Sequence, residues 1–217
     1  MDPIASDLAR ANMIEQQIRP CEVLDDRVLD AMNSIPREEF VAAEYVDLAF
    51  TDTHVPLQDG ELMMKPIQEG AMLQALNIKP GDKVLHIGTG SGYTAACMAH
   101  MGGEVTSYEI NPAIAASAQA RLSGYGVTVV NEDIFTAALH KNHYDVIAVT
   151  GSLPEGFDAL KEHLSETGRM FTIEGTDPVM HAILTCRQAD GELRSIQLSD
   201  TLIPALHNAP TKATFSF

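Results

Sequence analysis

The chain has few basic residues for its length. Its 217 residues include 14 Lys and Arg against 30 Asp and Glu, which gives a formal net charge of −16, and the basic residues form no cluster. An average field of this sign repels polyanions such as DNA and RNA. We therefore expect no nucleic-acid partner.

Cysteine is also scarce. The three cysteines, Cys21, Cys97 and Cys186, are far apart and form no Cys-x-x-Cys motif. An odd number of separated cysteines is typical of a reducing compartment and not of a disulfide framework. His, Cys and carboxylate residues nowhere have the spacing of a metal-ligand set. The sequence therefore predicts a cytoplasmic protein without a metal site.

Long apolar runs are absent as well. No segment approaches the roughly 18 apolar residues that a membrane-spanning helix needs. Residues 1–7 lack the basic region and apolar core of a secretion signal. At this length we expect a single domain, residues 1–217, with a sizeable core and without a membrane partner.

The most informative stretch is 84–96, where a strand pattern runs into glycines at alternate positions and then into an Ala-rich helix. Gly88, Gly90 and Gly92 let the backbone turn sharply and approach a ligand closely, because they have no side chains. The following helix presents free N–H groups and the positive end of its dipole to a polar or anionic group. The pattern predicts a nucleotide-type cofactor loop at the carboxyl edge of a parallel sheet.

Three other glycine-rich motifs do not fit this stretch. A dinucleotide fingerprint requires its third glycine at position 93, which is Tyr93. A phosphate-binding P-loop requires a lysine, and a hydrolase nucleophile elbow requires serine at the position of Gly90. A G-x-G-x-G loop followed by acids at the ends of the next strands resembles the S-adenosylmethionine site of Rossmann-like methyltransferases.

Acidic and polar residues end the strands that follow the glycines. Glu109 ends the strand over 104–109, about 20 residues after the first glycine, where a carboxylate accepts hydrogen bonds from ribose hydroxyls. Asp133 follows the strand over 127–130, where it can accept a hydrogen bond from an adenine amine, and Thr150 ends a further buried strand. The predicted cofactor-binding residues are His86, Gly88, Thr89, Gly90, Ser91, Gly92, Tyr93, Glu109, Ile110, Asp133, Ile134 and Thr150.

The middle of the chain alternates strands and helices. Near-continuous apolar runs occur at 84–87 and at 146–149, the second within a strand pattern over 144–150, and a further strand pattern occurs at 168–175. This order predicts an α/β fold with a Rossmann-like, doubly wound, mostly parallel sheet. We expect a helix over 157–164 between the last two of these strands.

The two ends of the chain differ from this core. A helical N-terminal cap and a substrate loop over 51–66 should form the first part, residues 1–66. We expect its helices at 6–18 (ended by Pro20) and 27–32, and short helical turns at 36–41 and 43–48. The cofactor-binding core should span 67–175 and begin with a helix over 67–77. An antiparallel β extension is expected over 176–217, with strands at 180–187, 192–202 and 213–217.

With this order laid out, the chain resembles the protein-L-isoaspartate O-methyltransferase family along nearly its full length. The glycine segment 87–93 is the closest match, and further similar segments lie at 13–18, 36–41, 144–150 and 168–170. The resemblance implies methyl transfer from S-adenosyl-L-methionine, with S-adenosyl-L-homocysteine as product. The acceptor that it implies is a carboxylate of a damaged isoaspartyl residue in a peptide or protein, which makes the reaction a repair step.

Two positions depart from the family's pattern. The family's substrate loop carries Thr-Ile-Ser-Gln-Pro, whereas this chain, aligned on Pro66, has Leu62 and Met64 at the two hydroxyl positions. In the first strand of the core, His86 stands where the family usually has Glu. The substrate-loop candidates are therefore Met64, Lys65 and His54, and none of them is assigned a catalytic role.

The missing hydroxyls need not abolish the family's reaction. A carboxylate with a pKa near ~4 is ionised at neutral pH, so its methylation needs positioning and exclusion of water and no general base. Loss of one hydroxyl hydrogen bond would cost about 1–3 kcal/mol and slow the reaction. Two alternatives stay open: the same cofactor site with another acceptor, such as a small acid, a phenol or a modified peptide, or a non-catalytic sensor that binds the cofactor or its product.

Overall fold

The computed structural model of the protein describes residues 3–211. Its helices are α1 (Pro3–Met13), α2 (Asp26–Ser34), α3 (Pro66–Leu76), α4 (Tyr93–His100) and α5 (Pro112–Arg121). Its strands are β1 (Val55–Pro56), β2 (Leu62–Met63), β3 (Lys83–Ile87), β4 (Glu104–Glu109), β5 (Thr128–Asn131), β6 (Tyr144–Leu153), β7 (Leu164–Thr176), β8 (Val179–Arg187) and β9 (Leu193–Thr201). The predicted strand over 213–217 lies outside the described residues.

Strands β3 to β9 form one sheet in the order β5-β4-β3-β6-β7-β8-β9. The five neighbouring strands β5, β4, β3, β6 and β7 run parallel, which confirms the predicted Rossmann-like α/β fold. The chain moves outward from β3 through β4 to β5 and then crosses back to β6 on the other side of β3. The loops that leave the carboxyl ends of β3 and β6 therefore diverge, and such a switch point opens a crevice for a ligand.

The central strand β3 is buried on both faces, as its apolar sequence predicted. Val84 pairs with Val105 and Val146 and packs in the core that α3 and α4 cover. Leu85, which points to the opposite face, packs with Ile147 in a second core. Helices cover the first face, whereas the second is covered by the segments that connect β5 to β6 and β6 to β7.

The antiparallel extension is also confirmed. β7 pairs with β8 through Phe171 and Leu184, and β8 pairs with β9 through Leu184 and Ile196. The turn between β8 and β9 is closed by the Gln188 N–H, which donates to the Glu192 carbonyl at 2.8 Å. The sheet thus changes from parallel to antiparallel at β7.

The N-terminal cap begins differently from the sequence prediction. α1 ends at Met13 and continues as a π-helical turn, Ile14–Ile18, and a 3₁₀ turn, Arg19–Cys21. Pro20 lies inside that last turn and does not end the helix before it, because a proline in the first turn removes an N–H that would have no partner. The second cap helix, α2, agrees with the prediction, and the Asp25 carboxylate caps it by accepting from the Arg27 N–H.

The cap packs closely on α3 at Gly70. A Cβ atom at this position would lie 3.3 Å from Met32 Sδ and 3.4 Å from Ile18 Cγ2. Glycine therefore allows the cap helices to approach α3, which is the helix that follows the substrate loop.

Two predictions about local structure are wrong. The expected helix over 157–164 is a 3₁₀ turn, Asp158–His163, because Leu164 already pairs with Tyr144 as the first residue of β7. The segment 51–66 is not a simple loop, since β1 and β2 form a small antiparallel hairpin in which Val55 pairs with Met63. The two short helical turns predicted before this hairpin are present as 3₁₀ turns, Arg37–Phe40 and Ala43–Leu48.

Candidate active site

A deep cleft lies at the carboxyl ends of β3, β4, β5 and β6. It encloses about 870 Å³ of empty space, including space open to solvent. The β1–β2 hairpin forms one wall and the segment 203–207 forms another. Among the described residues its lining includes the carboxylates Glu61, Glu69, Glu109, Glu132 and Asp133 and no lysine or arginine.

The glycine loop between β3 and α4 forms the floor of this cleft. Gly88 (φ 88°), Gly90 (φ 54°) and Gly92 (φ 92°) have left-handed backbone conformations, which glycine adopts without strain. A Cβ atom at Gly88 would lie 2.8 Å from Thr150 Oγ1, so a larger residue there would displace the threonine that begins the other side of the cleft. The loop sequence is therefore required by close packing as well as by backbone conformation.

Glu109 connects the glycine loop to the end of β4. Its Oε2 accepts from the Gly90 N–H and its Oε1 from the Asn111 N–H, both at 3.0 Å. The side chain is 8% exposed and lines the cleft. Its remaining lone pairs face a site where a hydroxyl donor can bind.

Asp133 is held at the end of β5 in a similar way. Its Oδ1 accepts from the Phe135 N–H at 2.9 Å, and its Oδ2 accepts from Asn208 Nδ2 at 2.8 Å. The carboxylate lines the cleft and is oriented by two donors, one of which belongs to the C-terminal segment. The sequence did not predict the contact with Asn208.

His86 lies behind the cleft and not in its lining. It is fully buried, its Nδ1 is 2.8 Å from Ser107 Oγ, and its Nε2 is 3.3 Å from Thr150 Oγ1. Burial lowers the pKa of His86 to about 4, so the ring is neutral at physiological pH. Ser107 Oγ is in turn 2.6 Å from Thr89 Oγ1, and both Thr89 and Thr150 line the cleft.

The β1–β2 hairpin gives the cleft an apolar wall. Leu57, Leu62, Met63 and Met64 all line the cleft, and Met64 is 4% exposed. His54 Nδ1 lies 3.0 Å from the Met63 carbonyl oxygen and supports the hairpin from outside the lining. No hydroxyl-bearing side chain lies at positions 62–64, as the sequence indicated.

A buried ion pair holds the end of this hairpin, and sequence reasoning missed it. The Arg37 guanidinium donates to Glu69 and also to the carbonyl oxygens of Met64 (2.8 Å) and Ala49 (2.9 Å). Thr94 Oγ1 donates to Glu69 Oε1 at 3.2 Å. The only sequence signal was the single carboxylate on a helix, α3, whose neighbouring residues are largely apolar and buried.

Electrostatics at this ion pair are set by burial. Arg37 is 0% exposed and Glu69 is 1% exposed, and the guanidinium lies 4.7 Å from the centroid of the Tyr93 ring. Burial raises the pKa of Glu69 to about 7, although the Arg37 charge acts in the opposite direction. Glu69 lines the cleft next to Met64, so it is the one titratable group on the apolar side of the described lining whose pKa is raised into the physiological range.

The C-terminal segment 203–208 closes the cleft from above. It is fixed to β6 by two backbone hydrogen bonds, from the Ser152 N–H to the Pro204 carbonyl (2.9 Å) and from the Leu206 N–H to the Ser152 carbonyl (3.0 Å). His207 Nε2 lies 2.6 Å from Glu61 Oε1 on the hairpin. The segment therefore bridges β6, the hairpin and Asp133.

A second groove adjoins the cleft on the far side of Leu57. Leu57, Gly90 and Ile114 line both cavities. The groove is also lined by Arg121, which is half-buried and whose single hydrogen bond, 3.4 Å to the Ser91 carbonyl, involves no carboxylate of the described residues. Its remaining lining residues are Ala42, Glu44, Tyr45, Pro56, Gln58 and Ser117.

The structure sorts the predicted site residues into two groups. Those that line the cleft are Gly88, Thr89, Gly90, Ser91, Glu109, Ile110, Asp133, Ile134, Thr150 and the substrate-loop candidate Met64. Those outside the lining are His86, Gly92, Tyr93, Lys65 and His54. Tyr93 is directed into the core, where its ring lies 5.6 Å from that of Phe40, and Gly92 is the N-cap of α4 and lies close to Leu122.

Within residues 3–211, no group of His, Cys, Asp and Glu residues is arranged to hold a metal ion. None of the helices described there is both long and apolar enough to cross a membrane.

Comparison with known proteins decides the family. The family model described as protein-L-isoaspartate(D-aspartate) O-methyltransferase matches residues 8–204. The chain belongs to this family. It is 37% identical over 205 residues to the protein-L-isoaspartate O-methyltransferase of Koribacter versatilis, with 93% of this chain and 92% of the relative covered. It is 35% identical over 206 residues to protein-L-isoaspartate O-methyltransferase 2 of Marinobacter nauticus, with 93% and 94% covered.

A solved structure described as a member of the same family has the same fold as this chain. A Plasmodium falciparum protein described as a protein-L-isoaspartate O-methyltransferase, solved with S-adenosyl-L-homocysteine, superposes with a TM-score of 0.77. The match covers 93% of this chain and 97% of that chain at 18% identity. At this identity the likeness establishes the fold alone.

Proposed function

We propose that the protein is an S-adenosyl-L-methionine-dependent O-methyltransferase that acts on a carboxylate of isoaspartyl residues in damaged peptides or proteins. The observation that carries this proposal is the cleft at the switch point of the sheet, formed by the glycine loop, Glu109 and Asp133 in a chain of the isoaspartate methyltransferase family. A cytoplasmic location and the absence of nucleic-acid and membrane partners remain predictions from the sequence.

The residues of the cleft fit this cofactor. Glu109 and Asp133 are pre-oriented by backbone and side-chain donors, and each retains acceptor capacity for a ribose hydroxyl or an adenine amine. The glycine loop presents backbone without side chains, as a close-fitting nucleoside requires. In this proposal the cofactor is held by Gly88, Thr89, Gly90, Ser91, Glu109, Ile110, Asp133, Ile134 and Thr150.

The chemistry requires little proton transfer from the protein. When bound, S-adenosyl-L-methionine supplies an electrophilic methyl group. An acceptor carboxylate is ionised at neutral pH and attacks without a general base, so this chain's residues act by orientation and by exclusion of water. Leu57, Met63 and Met64 provide the apolar wall, and the segment 203–207 covers the cleft opposite them.

The apolar wall also favours a second candidate function. Met64 lines the cleft at a position where the family's substrate loop carries a hydroxyl side chain. Burial raises the pKa of the neighbouring Glu69 to about 7. This combination favours a less polar acceptor than an isoaspartyl carboxylate at the same cofactor site. A non-catalytic sensor of the cofactor or its product uses the same binding residues and differs only in lacking transfer.

The second groove offers room for the polypeptide on either side of an acceptor residue. It shares Leu57 with the cleft, and Arg121 supplies a half-desolvated cation without a carboxylate partner among the described residues. A carboxylate of the acceptor polypeptide would be favoured there. This groove is therefore where we expect the acceptor's flanking residues to bind.

The test is transfer of radiolabelled methyl groups from S-adenosyl-L-methionine to a short isoaspartyl peptide, beside its normal aspartyl twin. We expect base-labile label on the isoaspartyl peptide only, and Met64→Ser should raise the rate about tenfold by restoring a hydrogen-bond donor. Met180→Ser, which alters a buried methionine outside the cleft lining, is the matched control.

The other outcomes separate the alternatives. No label with the native protein and label with Met64→Ser would favour a different acceptor at an intact site. No label with either protein, together with calorimetric binding of S-adenosyl-L-homocysteine, would favour an unrelated acceptor or a sensor. Absence of binding would contradict all of these functions.

A further inference from the structure

The hydrogen bonds around His86 connect the two sides of the glycine loop. Thr89 lies at the start of the loop and Thr150 lies in β6, three residues before the strand ends, and both line the cleft. Behind them, Thr89, Ser107, His86 and Thr150 form one continuous chain of contacts of 2.6, 2.8 and 3.3 Å. His86 and Ser107 are both 0% exposed, so these contacts are shielded from bulk solvent.

The position of each proton follows from Thr150. Its Oγ1 lies 2.7 Å from the Gly88 carbonyl oxygen and 2.9 Å from the Ile87 carbonyl oxygen, and a carbonyl can only accept. The single hydroxyl proton of Thr150 is therefore directed at these carbonyls. His86 Nε2 then faces a lone pair of Thr150, so Nε2 has to carry the ring proton and donate it.

The rest of the chain has one consistent arrangement. Because His86 is neutral and Nε2 is protonated, Nδ1 is an acceptor, and Ser107 Oγ donates to it. The proton of Ser107 is then used, so Thr89 Oγ1 donates to Ser107 Oγ. Every polar atom of this buried chain is satisfied, as buried networks require.

We propose that His86, as the neutral Nε2–H tautomer, is a positioning residue that fixes the hydroxyls of Thr89 and Thr150 on the two sides of the glycine loop. Its ring donates to Thr150, which leaves the Thr150 proton on the Gly88 carbonyl. That carbonyl belongs to the first glycine of the proposed cofactor loop. The inference rests on the proposed function only in the choice of ligand for its binding test.

A carboxylate at position 86 would reverse this arrangement. An ionised carboxylate only accepts, so it would draw the Thr150 and Ser107 protons toward itself and away from the Gly88 carbonyl. A glutamine can donate to Thr150 and accept from Ser107 at once, as the neutral histidine does. The three side chains at this position therefore give different, testable states of the loop.

The first measurement is made on the native full-length protein without ligand. A long-range ¹H–¹⁵N correlation spectrum identifies which ring nitrogen of His86 carries the proton. We expect Nε2–H across the neutral range, and a protonated Nδ1 or a doubly protonated ring at neutral pH would overturn the proposal. This readout does not depend on any variant folding, nor on the proposed activity.

The second measurement compares variants by calorimetric affinity for S-adenosyl-L-homocysteine. His86→Gln should bind within about threefold of the native protein, whereas His86→Leu and Thr150→Val should each bind about tenfold more weakly, since each removes the bond between residues 86 and 150 together with one further hydrogen bond of the chain. His86→Leu/Thr150→Val should be no weaker than either single variant by more than about threefold, because both interrupt the same chain.

A matched control separates positioning from general loss of a buried hydroxyl. Thr185→Val removes a buried hydroxyl that contacts Ser195 on the antiparallel side of the sheet, outside the cleft lining, and should leave the affinity unchanged. Native-like affinity in His86→Leu, or equal weakening in Thr185→Val, would overturn the proposal. A native protein with the Nε2–H tautomer that binds no S-adenosyl-L-homocysteine would instead contradict the proposed function.

Discussion

Glu109 shows how one carboxylate can organise a site. It accepts the Gly90 N–H from the glycine loop and the Asn111 N–H at the start of α5, so its orientation is fixed before any ligand binds. The same side chain lines the cleft at the end of β4. A residue in this position couples the backbone of the loop to the proposed ribose contact.

We predict that Glu109→Gln weakens binding of S-adenosyl-L-homocysteine by about tenfold to a hundredfold. The amide has only one acceptor oxygen, so one of the two backbone donors loses its partner, and charge-assisted bonds of this kind contribute about 1.5–3 kcal/mol. Isothermal calorimetry measures the change. Glu104→Gln, at the exposed beginning of the same strand, is the control, and equal affinities in the two variants would contradict the prediction.

At the same scale, the lowered pKa of His86 makes the free energy of unfolding depend on pH. Its pKa is about 4 in the folded protein and 6.5 in the reference state, so between these values the unfolded chain binds a proton that the folded chain does not. Unfolding is therefore favoured as the pH falls through this window, by about 3 kcal/mol in total.

The variant His86→Gln isolates this effect. We predict that its free energy of unfolding, relative to the native protein, rises as the pH is lowered from about 7 to about 4, and that denaturant titrations at each pH reveal it. The raised pKa of Glu69 changes stability in the opposite direction over part of this range, but it is present in both proteins and cancels in the difference. A difference independent of pH would contradict the lowered pKa.

At the scale of elements, a buried ion pair positions the β1–β2 hairpin. One partner comes from the N-terminal cap and the other from the core. Arg37 comes from a 3₁₀ turn, Glu69 from α3, and the guanidinium also donates to the Met64 carbonyl at the end of the hairpin. The Met64 backbone therefore anchors the apolar wall of the cleft, and the segment 203–207 lines the cleft opposite this wall.

We predict that Arg37→Met destabilises the protein by about 3–5 kcal/mol, because it leaves a buried carboxylate without its partner. Adding Glu69→Leu should recover most of that loss, since an apolar pair of similar volume needs no desolvation of charge. Chemical denaturation measures both. A double variant as unstable as the single one would show that the backbone contacts of Arg37, rather than the ion pair, dominate.

At the scale of the whole molecule, charge affects which acceptors reach the cleft. The chain has a formal charge of −16, and the described cleft lining has carboxylates but no lysine or arginine. An acidic peptide therefore approaches against the average field and a basic peptide with it, whereas Arg121 acts on a flanking carboxylate only after the encounter.

We predict opposite salt dependences for two isoaspartyl peptides that differ only in flanking residues. As ionic strength rises from about 0.01 to about 0.1 M and the Debye length falls from about 30 to about 10 Å, kcat/KM should rise for an acid-flanked peptide and fall for a lysine-flanked one. Initial rates of methyl transfer provide the measurement. Parallel changes in both peptides would indicate a salt effect on the protein and not on the encounter.

Prediction from sequence succeeded where the signal was local. The alternation of apolar runs placed the parallel strands, and the helix predicted over 27–32 agreed with α2. It failed at 157–164, where a helix was expected between two strands but pairing of Leu164 with Tyr144 extended β7 instead. A pairing with a distant strand overrides local helix preference because sheet hydrogen bonds and burial contribute more than propensity.

The sequence by itself determined the glycine loop and the acids at the strand ends, because strand-to-turn spacing directs Gly88, Glu109 and Asp133 to one edge of a parallel sheet. Only the tertiary structure decided how the site is enclosed. Arg37 and Glu69 are 32 residues apart, and Asn208 and Asp133 are 75 residues apart. The tertiary structure also decided that His86 lies behind the cleft. Both faces of β3 are covered, so the sequence does not show which of its side chains reach the cleft. Contacts of this kind depend on how distant elements pack, and local periodicity contains no information about them.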